Sequence, residues 1–217
     1  MGALGRVRGV GGVIVLLAVT VSGCASGSRR VSAGVHGASS PSPPPATTTS
    51  STATIVTRFT PYSAAGALTV AVQSQASGYC WTNSITVALS GAYRCLVGND
   101  IADPCFVPPQ PSTPATVACL ADPWSGARMV TLTHALPSTD PIGNAANPWA
   151  VQLANGARCV AVTGTVQRVD GVSLNLQCAG GALAGGLDRT GRKWRVKYGR
   201  ATGAGLTLVD VVAAWRG

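Results

Sequence analysis

The chain contains no glutamate, so all seven of its acidic residues are aspartates, and it has only two histidines, His36 and His134. A pair of carboxylates for glycoside cleavage would therefore have to come from aspartates alone. A Ser/His/Asp site in the folded region would have to use His134, because His36 lies in a polar linker. The sequence also has no Gly-x-Ser-x-Gly segment that could present a nucleophilic serine. We therefore predict no catalytic residue.

Long hydrophobic runs are also missing. The longest spans residues 10–21, which is 12 residues and falls short of the roughly 20 that a membrane-spanning helix needs. It follows the basic residues Arg6 and Arg8 and precedes small residues, which is typical of a signal peptide. No other run approaches membrane-span length.

The signal-like segment ends in Val-Ser-Gly-Cys at residues 21–24. This stretch resembles the lipobox of bacterial lipoproteins, whose signal peptide is of type II. The resemblance implies cleavage after Gly23 and diacylation of the Cys24 thiol, which would anchor the mature chain at the extracytoplasmic face of the cell membrane. Two acyl chains hold a protein stably on a bilayer. The alternative is an ordinary secretory signal with an incidental cysteine.

No two cysteines have CxxC spacing or a histidine partner, which argues against a metal site, and no cofactor motif is present. Apart from Cys24, six cysteines remain: Cys80, Cys95, Cys105, Cys119, Cys159 and Cys178. An even number in an exported chain predicts three disulfides. Fifteen pairings are possible. We favour Cys80–Cys95, Cys105–Cys119 and Cys159–Cys178, because such short loops can each stabilise the fold by about 3 kcal/mol.

Composition predicts a signal peptide at 1–23, a lipidated N-terminus and disordered Ser/Thr/Pro-rich linker at 24–62, and a folded domain at 63–217. Loss of Arg6 and Arg8 with the signal peptide lowers the formal net charge from +9 to +7. A basic lipoprotein is attracted to anionic lipid or cell-wall polymer, whereas an exported protein rarely meets nucleic acid. The bias toward Ala, Gly, Val and Arg is typical of an actinobacterial genome.

Apolar and polar residues alternate in several short segments, and no long amphipathic helix is evident. The alternation predicts strands at 68–72, 85–89, 128–134, 172–178, 194–198 and 206–213, with turns and loops over 100–114. Asn155-Gly156 predicts a two-residue hairpin that pairs Val151 with Val160. We therefore expect a mainly β fold: a small antiparallel β domain, sandwich or barrel, with three disulfides, preceded by the linker.

Three segments resemble a group of exported actinobacterial proteins: Cys-Trp-Thr-Asn-Ser at 80–84, Tyr-Arg-Cys at 93–95 and Asp-Pro-Cys-Phe at 103–106. A later Pro-Trp at 148–149 and Asn-Gly-Ala-Arg-Cys at 155–159 belong to the same pattern, which covers about residues 78–217. The resemblance implies export and disulfide bonding. It brings no activity and no catalytic residue to this chain.

Two features favour binding. A basic patch on a predicted strand is either a solvated face or a contact for anionic lipid or wall polymer, and it consists of Arg192, Lys193, Arg195, Lys197 and Arg200. Five tryptophans either pack in the core, as alternation predicts for Trp149 and Trp194, or stack on sugars. We expect an envelope binding or accessory module whose partner is wall polymer or an envelope protein. The alternatives are a wall- or carbohydrate-acting hydrolase using, for example, Asp100 and Asp103, or a carbohydrate-binding module.

Overall fold

The computed structural model describes residues 53–109, 115–138, 140–200 and 205–217. The expected signal peptide, Cys24 and most of the expected linker lie outside these residues. The described chain is mainly β and contains one short 3-10 turn, Ala179–Gly181, but no helix that could cross a membrane. Its fourteen strands are β1 (Ile55–Arg58), β2 (Val72–Asn83), β3 (Ala92–Val97), β4 (Asp100–Phe106), β5 (Thr116–Cys119), β6 (Ala127–Leu132), β7 (Ala150–Leu153), β8 (Arg158–Ala161), β9 (Gln167–Val169), β10 (Val172–Leu174), β11 (Leu176–Cys178), β12 (Leu183–Asp188), β13 (Arg195–Gly199) and β14 (Thr207–Arg216).

Strands β2 to β6 form a closed five-stranded barrel, here called the first barrel. Successive strands pair antiparallel, and the ring closes through a parallel pairing of β2 with β6. An odd number of strands in up-and-down order requires one such parallel pair. Closure removes exposed strand edges, except where two neighbouring strands separate.

A second set of strands pairs in the order β14-β13-β12-β11-β8-β7, and β14 also pairs with β7. This last pairing closes the six strands into a ring, here called the second barrel, in which every pairing is antiparallel. Strands β9 and β10 form a separate hairpin between β8 and β11. The expected antiparallel β fold is thus confirmed as two barrels in one chain.

Strand β1 lies inside the segment that we expected to be linker, so the fold begins before residue 63. It pairs in parallel with the end of β14, from Ile55 opposite Ala213 to Arg58 opposite Arg216. The Thr54 hydroxyl donates a hydrogen bond to the Val211 carbonyl at 2.7 Å. All four residues of β1 are exposed. Their sequence, Ile-Val-Thr-Arg, does not alternate apolar and polar residues, so it could not have predicted a strand.

Three local predictions in and beside the first barrel are wrong. Residues 68–71 form no strand: Leu68 makes an isolated bridge with Tyr62, and β2 begins only at Val72. Residues 85–89 are not a strand either, because the Ile85 N–H and the Thr86 hydroxyl bond the Asp103 carboxylate and the chain bends there. Conversely, β4 occupies the start of residues 100–114, which we expected to be loop. A two-residue turn joins it to β3, and Val97 pairs with Asp100 across that turn. Gly98 in that turn has φ +64°, a conformation that glycine adopts without strain.

The predicted hairpin forms between β7 and β8, but its register differs by one residue. Val151 pairs with Cys159 and not with Val160. The loop has three residues, and only Gly156 has positive φ, at +84°. Asn155 instead accepts a hydrogen bond from the Ala157 N–H through its side-chain oxygen, at 3.1 Å. A type I turn closed by a left-handed glycine is the common three-residue alternative to the expected turn.

All three predicted disulfides form. Each joins two residues that lie directly opposite each other on paired strands: Cys80 with Cys95, Cys105 with Cys119, and Cys159 with Cys178. The first two cross-link the first barrel, and the third cross-links the second. All six cysteines are buried.

A third apolar core, here called the central cluster, joins the two barrels. Trp149 and Ala150 come from the second barrel, and Ala92, Phe106 and Ala118 come from the first. Trp149 is only 1% exposed. The centre of its ring lies 5.8 Å from the centre of the Phe59 ring, and the Phe59 and Phe106 ring centres are 6.4 Å apart. The barrels therefore pack through an apolar contact.

Replacing Trp149 with alanine should lower the free energy of unfolding by about 3–5 kcal/mol, because it empties the central cluster. Trp81→Ala is the matched control, since Trp81 is 41% exposed and its loss should cost about 1 kcal/mol or less. Urea unfolding with the disulfides intact measures both. Equal losses of unfolding free energy for the two variants would contradict the assignment of Trp149 to the central cluster.

Candidate functional site

The segments Cys-Trp-Thr-Asn-Ser and Asp-Pro-Cys meet at the buried carboxylate of Asp103. It accepts hydrogen bonds from the Ser84 hydroxyl, from the Thr86 hydroxyl at 2.9 Å and from the Ile85 backbone N–H at 3.1 Å. Burial raises the pKa of this carboxyl; the hydrogen bonds and the nearby Arg94 act in the opposite direction but are weaker. The carboxylate thus ties β4 to the turn after β2.

Arg94 connects the two barrels beside this cluster. Its guanidinium donates a hydrogen bond to the Thr163 carbonyl at 2.7 Å and lies 5.7 Å from the centre of the Trp81 ring. The guanidinium is therefore held on one side by the second barrel and on the other by the first. Sequence analysis had placed Arg94 only as part of a motif.

A hollow of about 360 Å³ lies between the barrels, here called the central hollow. It opens where the first half of β4 leaves β5, because these strands pair only at Cys105 and Phe106. Residues 100–103 line one wall, and residues 160–163 from β8 onward line the other. Such a volume lies within the range of small-ligand sites, about 300–1000 Å³.

Two further hollows adjoin the central one. The Trp124 hollow, of about 450 Å³, shares Val160 and Gln177 with it. The Gln167 hollow, of about 290 Å³, shares Val162 and Gln177 with it. Gln177 is exposed and lines all three. Together they make one extended concave surface, here called the groove, whose floor is the outer face of β8 and β11.

Each hollow of the groove contains one exposed arginine: Arg128 in the central hollow, Arg158 in the Trp124 hollow and Arg200 in the Gln167 hollow. The two ion pairs among the described residues involve neither these three nor any other groove residue. Arg158 stacks over Trp124 at 5.2 Å. The groove therefore holds three arginines and three aspartates, Asp100, Asp103 and Asp122, none of which forms an ion pair with another described residue.

Asp100 and Asp103, the candidate carboxylate pair, both line the central hollow. Asp103 is 8% exposed and accepts three hydrogen bonds, so its carboxylate is engaged in holding the chain together. Asp100 is exposed, and its side chain forms no hydrogen bond or ion pair with the residues that the structure describes. This difference favours a structural role for Asp103 over acid–base chemistry.

His134 forms no Ser/His/Asp site with any described residue. Its ring nitrogen Nδ1 lies 3.0 Å from the Thr133 hydroxyl, and the ring packs edge-on against Tyr79 with centroids 5.1 Å apart. Two aspartates that could serve as partners contact other residues: Asp122 accepts a hydrogen bond from the Trp124 N–H, and Asp210 pairs with Lys193. The simplest hydrolase arrangement is absent from the described residues.

The basic patch is partly neutralised. Lys193 pairs with Asp210 at 3.3 Å and Arg195 with Asp188 at 3.0 Å. The pKa of Asp188 is lowered to about 2, chiefly by hydrogen bonds from Thr190 and then by Arg195. Of the predicted patch, Arg200 is the member that the structure places in the groove.

The tryptophans do not form a flat sugar-stacking platform among the described residues. Trp149 is buried as predicted, and Trp194 is half-buried under Arg189. Trp81 is exposed beside Tyr79, but the two rings are inclined by 62°. Two coplanar exposed rings, which a stacking module needs, are therefore not present in this part of the chain.

The sulfur atoms of Cys95, Cys105 and Cys119 lie within 4.8 Å of one another. All three belong to disulfides, and a disulfide sulfur lacks the thiolate charge that a zinc ligand needs. The cluster is therefore explained by two neighbouring cross-links in the core of the first barrel.

No protein-family model matches this chain, and searches of curated proteins and of solved structures found no similar protein. The groove therefore has to be interpreted from its own chemistry. Sequence reasoning missed Arg128, Arg158 and Gln177 as site residues. Arg158 and Gln177 meet through the pairing of β8 with β11, and Arg128 joins them from the first barrel when the barrels pack. No spacing in the sequence signals that meeting.

Because its pKa is raised in the folded protein, Asp103 should make the free energy of unfolding fall with rising pH. The fall should begin near the unfolded pKa, about 3.9, and end above the raised folded pKa, since the folded state binds more protons between the two. Asp103→Asn should remove this segment of the pH profile, and Asp140→Asn should retain it. Urea unfolding at a series of pH values is the measurement; an unchanged profile in Asp103→Asn would refute the assignment.

Proposed function

We propose that this chain is a lipoprotein of the bacterial cell envelope, anchored through Cys24 at the extracytoplasmic face of the membrane. The folded region serves as a non-enzymatic binding module. The observation that carries the proposal most is the disulfide pairing. The three disulfides use six of the seven cysteines, so Cys24 is the one thiol left for acylation.

Disulfides between buried strand residues form and persist in oxidising compartments. The signal-like segment before Cys24 provides the route out of the cytoplasm, and the lipobox resemblance provides the anchor. The polar segment between Cys24 and β1 supplies the length that a surface-displayed domain needs. The three features agree on one location.

The geometry favours binding over catalysis. The groove is a concave surface with room for a ligand, and its one buried carboxylate, that of Asp103, accepts hydrogen bonds from three donors. His134 contacts no acidic side chain among the described residues. A general acid or base must reach the proton that it transfers, which neither group does here.

Growth with an alkyne-tagged fatty acid should label the wild-type protein and leave Cys24→Ala unlabelled. Ser22→Ala is the matched control; it changes a neighbouring small residue to another small residue and should keep the label. Mass spectrometry of the mature N-terminus should find an acylated Cys24 directly after the cleavage site. Equal labelling of wild type and Cys24→Ala would exclude the lipid anchor.

A further inference from the structure

The interior of the first barrel brings its two disulfides together. Cys80–Cys95 joins β2 to β3, and Cys105–Cys119 joins β4 to β5. Because the five strands close into a ring, both cross-links lie in the same apolar core, packed with Val117 and Val130. The two disulfides are therefore neighbours in space, although they tie together different pairs of strands.

The sulfur atoms of these two disulfides lie close enough to exchange partners. Those of Cys95, Cys105 and Cys119 are all within 4.8 Å of one another. Reacting atoms meet at roughly 3–3.5 Å, so a sulfur released from its own bond has about 1–2 Å to cover. A small side-chain rotation provides that movement. Thiol–disulfide exchange then requires only that a thiolate attack a disulfide sulfur.

One of the four cysteines of the first barrel faces a space that a ligand can enter. Cys119 lines the central hollow, whereas Cys80, Cys95 and Cys105 line none of the three hollows. The hollow, of about 360 Å³, has room for a small-molecule thiol. A thiolate that enters there reaches Cys119 first, and the sulfur that it displaces is that of Cys105.

Burial favours a second exchange after the first. Cys105 is 0% exposed, and an isolated charge in an apolar core is costly because it has lost its hydration. Attack by the Cys105 thiolate on Cys95 moves the charge to Cys80. Cys80 is 4% exposed, and the thiolate there can take up a proton. The free thiol is thus passed from one disulfide to the other.

We propose that the two disulfides of the first barrel form a thiol–disulfide relay, whose substrate is a small-molecule thiol bound in the central hollow. In the first step, the thiolate bonds to the Cys119 sulfur, the Cys105–Cys119 bond breaks, and its electron pair goes to Cys105. In the second, Cys105 bonds to Cys95, the Cys80–Cys95 bond breaks, and Cys80 leaves as a thiolate that is protonated by water. Two disulfides break and two form, so the exchange needs no further oxidant or reductant.

The disulfide of the second barrel lacks a neighbouring disulfide and serves as an internal comparison. Cys178 lines the Trp124 hollow, so a small thiol can reach this bond as well. Among the residues that the structure describes, no third cysteine sulfur lies within 4.8 Å of both Cys159 and Cys178. A thiol that opens this disulfide should therefore release Cys159, and the exchange should end there.

Limited exchange of the folded full-length chain with mercaptoethanol tests the relay. Free thiols, including any at Cys24, are capped beforehand, and those released by mercaptoethanol are capped with iodoacetamide for disulfide mapping by mass spectrometry. We expect mercaptoethanol on Cys119, a new Cys95–Cys105 disulfide, a capped thiol at Cys80 and loss of the native Cys80–Cys95 peptide. Opening of Cys105–Cys119 alone cannot produce the Cys95–Cys105 peptide.

Two serine variants remove the same disulfide and differ only in the thiol that they leave. Cys80→Ser leaves the Cys95 thiol beside the Cys105–Cys119 disulfide, so part of the free thiol should appear at Cys105 or Cys119 without added mercaptoethanol. Cys95→Ser leaves the Cys80 thiol, which lies outside the group of three close sulfurs, and the free thiol should stay at Cys80. Thermal melting checks that each variant is folded.

A capped Cys105 together with an intact Cys80–Cys95 disulfide in the wild-type chain would overturn the relay, because the exchange would then end at its first step. Mercaptoethanol adducts that form only after unfolding in urea would also overturn it, since the hollow would then give no access to Cys119. Neither result bears on the lipid anchor, because the exchange does not involve Cys24. Failure of the acyl label would likewise leave the relay to the disulfide map.

Discussion

The packing of the two barrels through the central cluster is the constraint on which the rest of the structure depends. Trp149 is 1% exposed and contacts Phe59, which leads to Phe106 in the first barrel. Each barrel has its own core and at least one disulfide. The central cluster, the Arg94 hydrogen bond to Thr163 and the stacking of Arg158 over Trp124 fix one barrel against the other. Because interiors pack closely and deform little, that contact sets the shape of everything between the barrels.

The groove follows from this packing together with one local irregularity. β4 leaves β5 after a short pairing, which opens the wall of the first barrel toward the second. Asp103 then fixes the opened segment to the turn at Ser84, so the wall is held in place although it lacks a neighbouring strand. The result is a concave surface lined by both arginines and aspartates. Preformed sites of this kind lose little conformational entropy on binding.

The local chemistry of the chain was readable from sequence, and its long-range contacts were not. Cysteine count and short spacing were enough for the disulfides, and alternation was enough for the faces of β13 and for Cys178. The predicted pairing register at Asn155-Gly156 was wrong by one residue. A two-residue and a three-residue loop both fit this dipeptide, and only packing decides between them. Residues 85–89 alternate like a strand, yet the Asp103 carboxylate holds them in a turn. β1 was missed because none of its side chains is buried. The groove arginines are far apart in sequence: the strand pairing of the second barrel positions Arg158 and Arg200, and the packing of the barrels adds Arg128.

The central claim is that the two barrels pack through the central cluster as one rigid unit. Residual dipolar couplings of backbone N–H groups in both barrels, measured by nuclear magnetic resonance on the mature chain, test it most directly. The account predicts that a single alignment tensor fits the couplings of both barrels. Two clearly different tensors, one for each barrel, would contradict it.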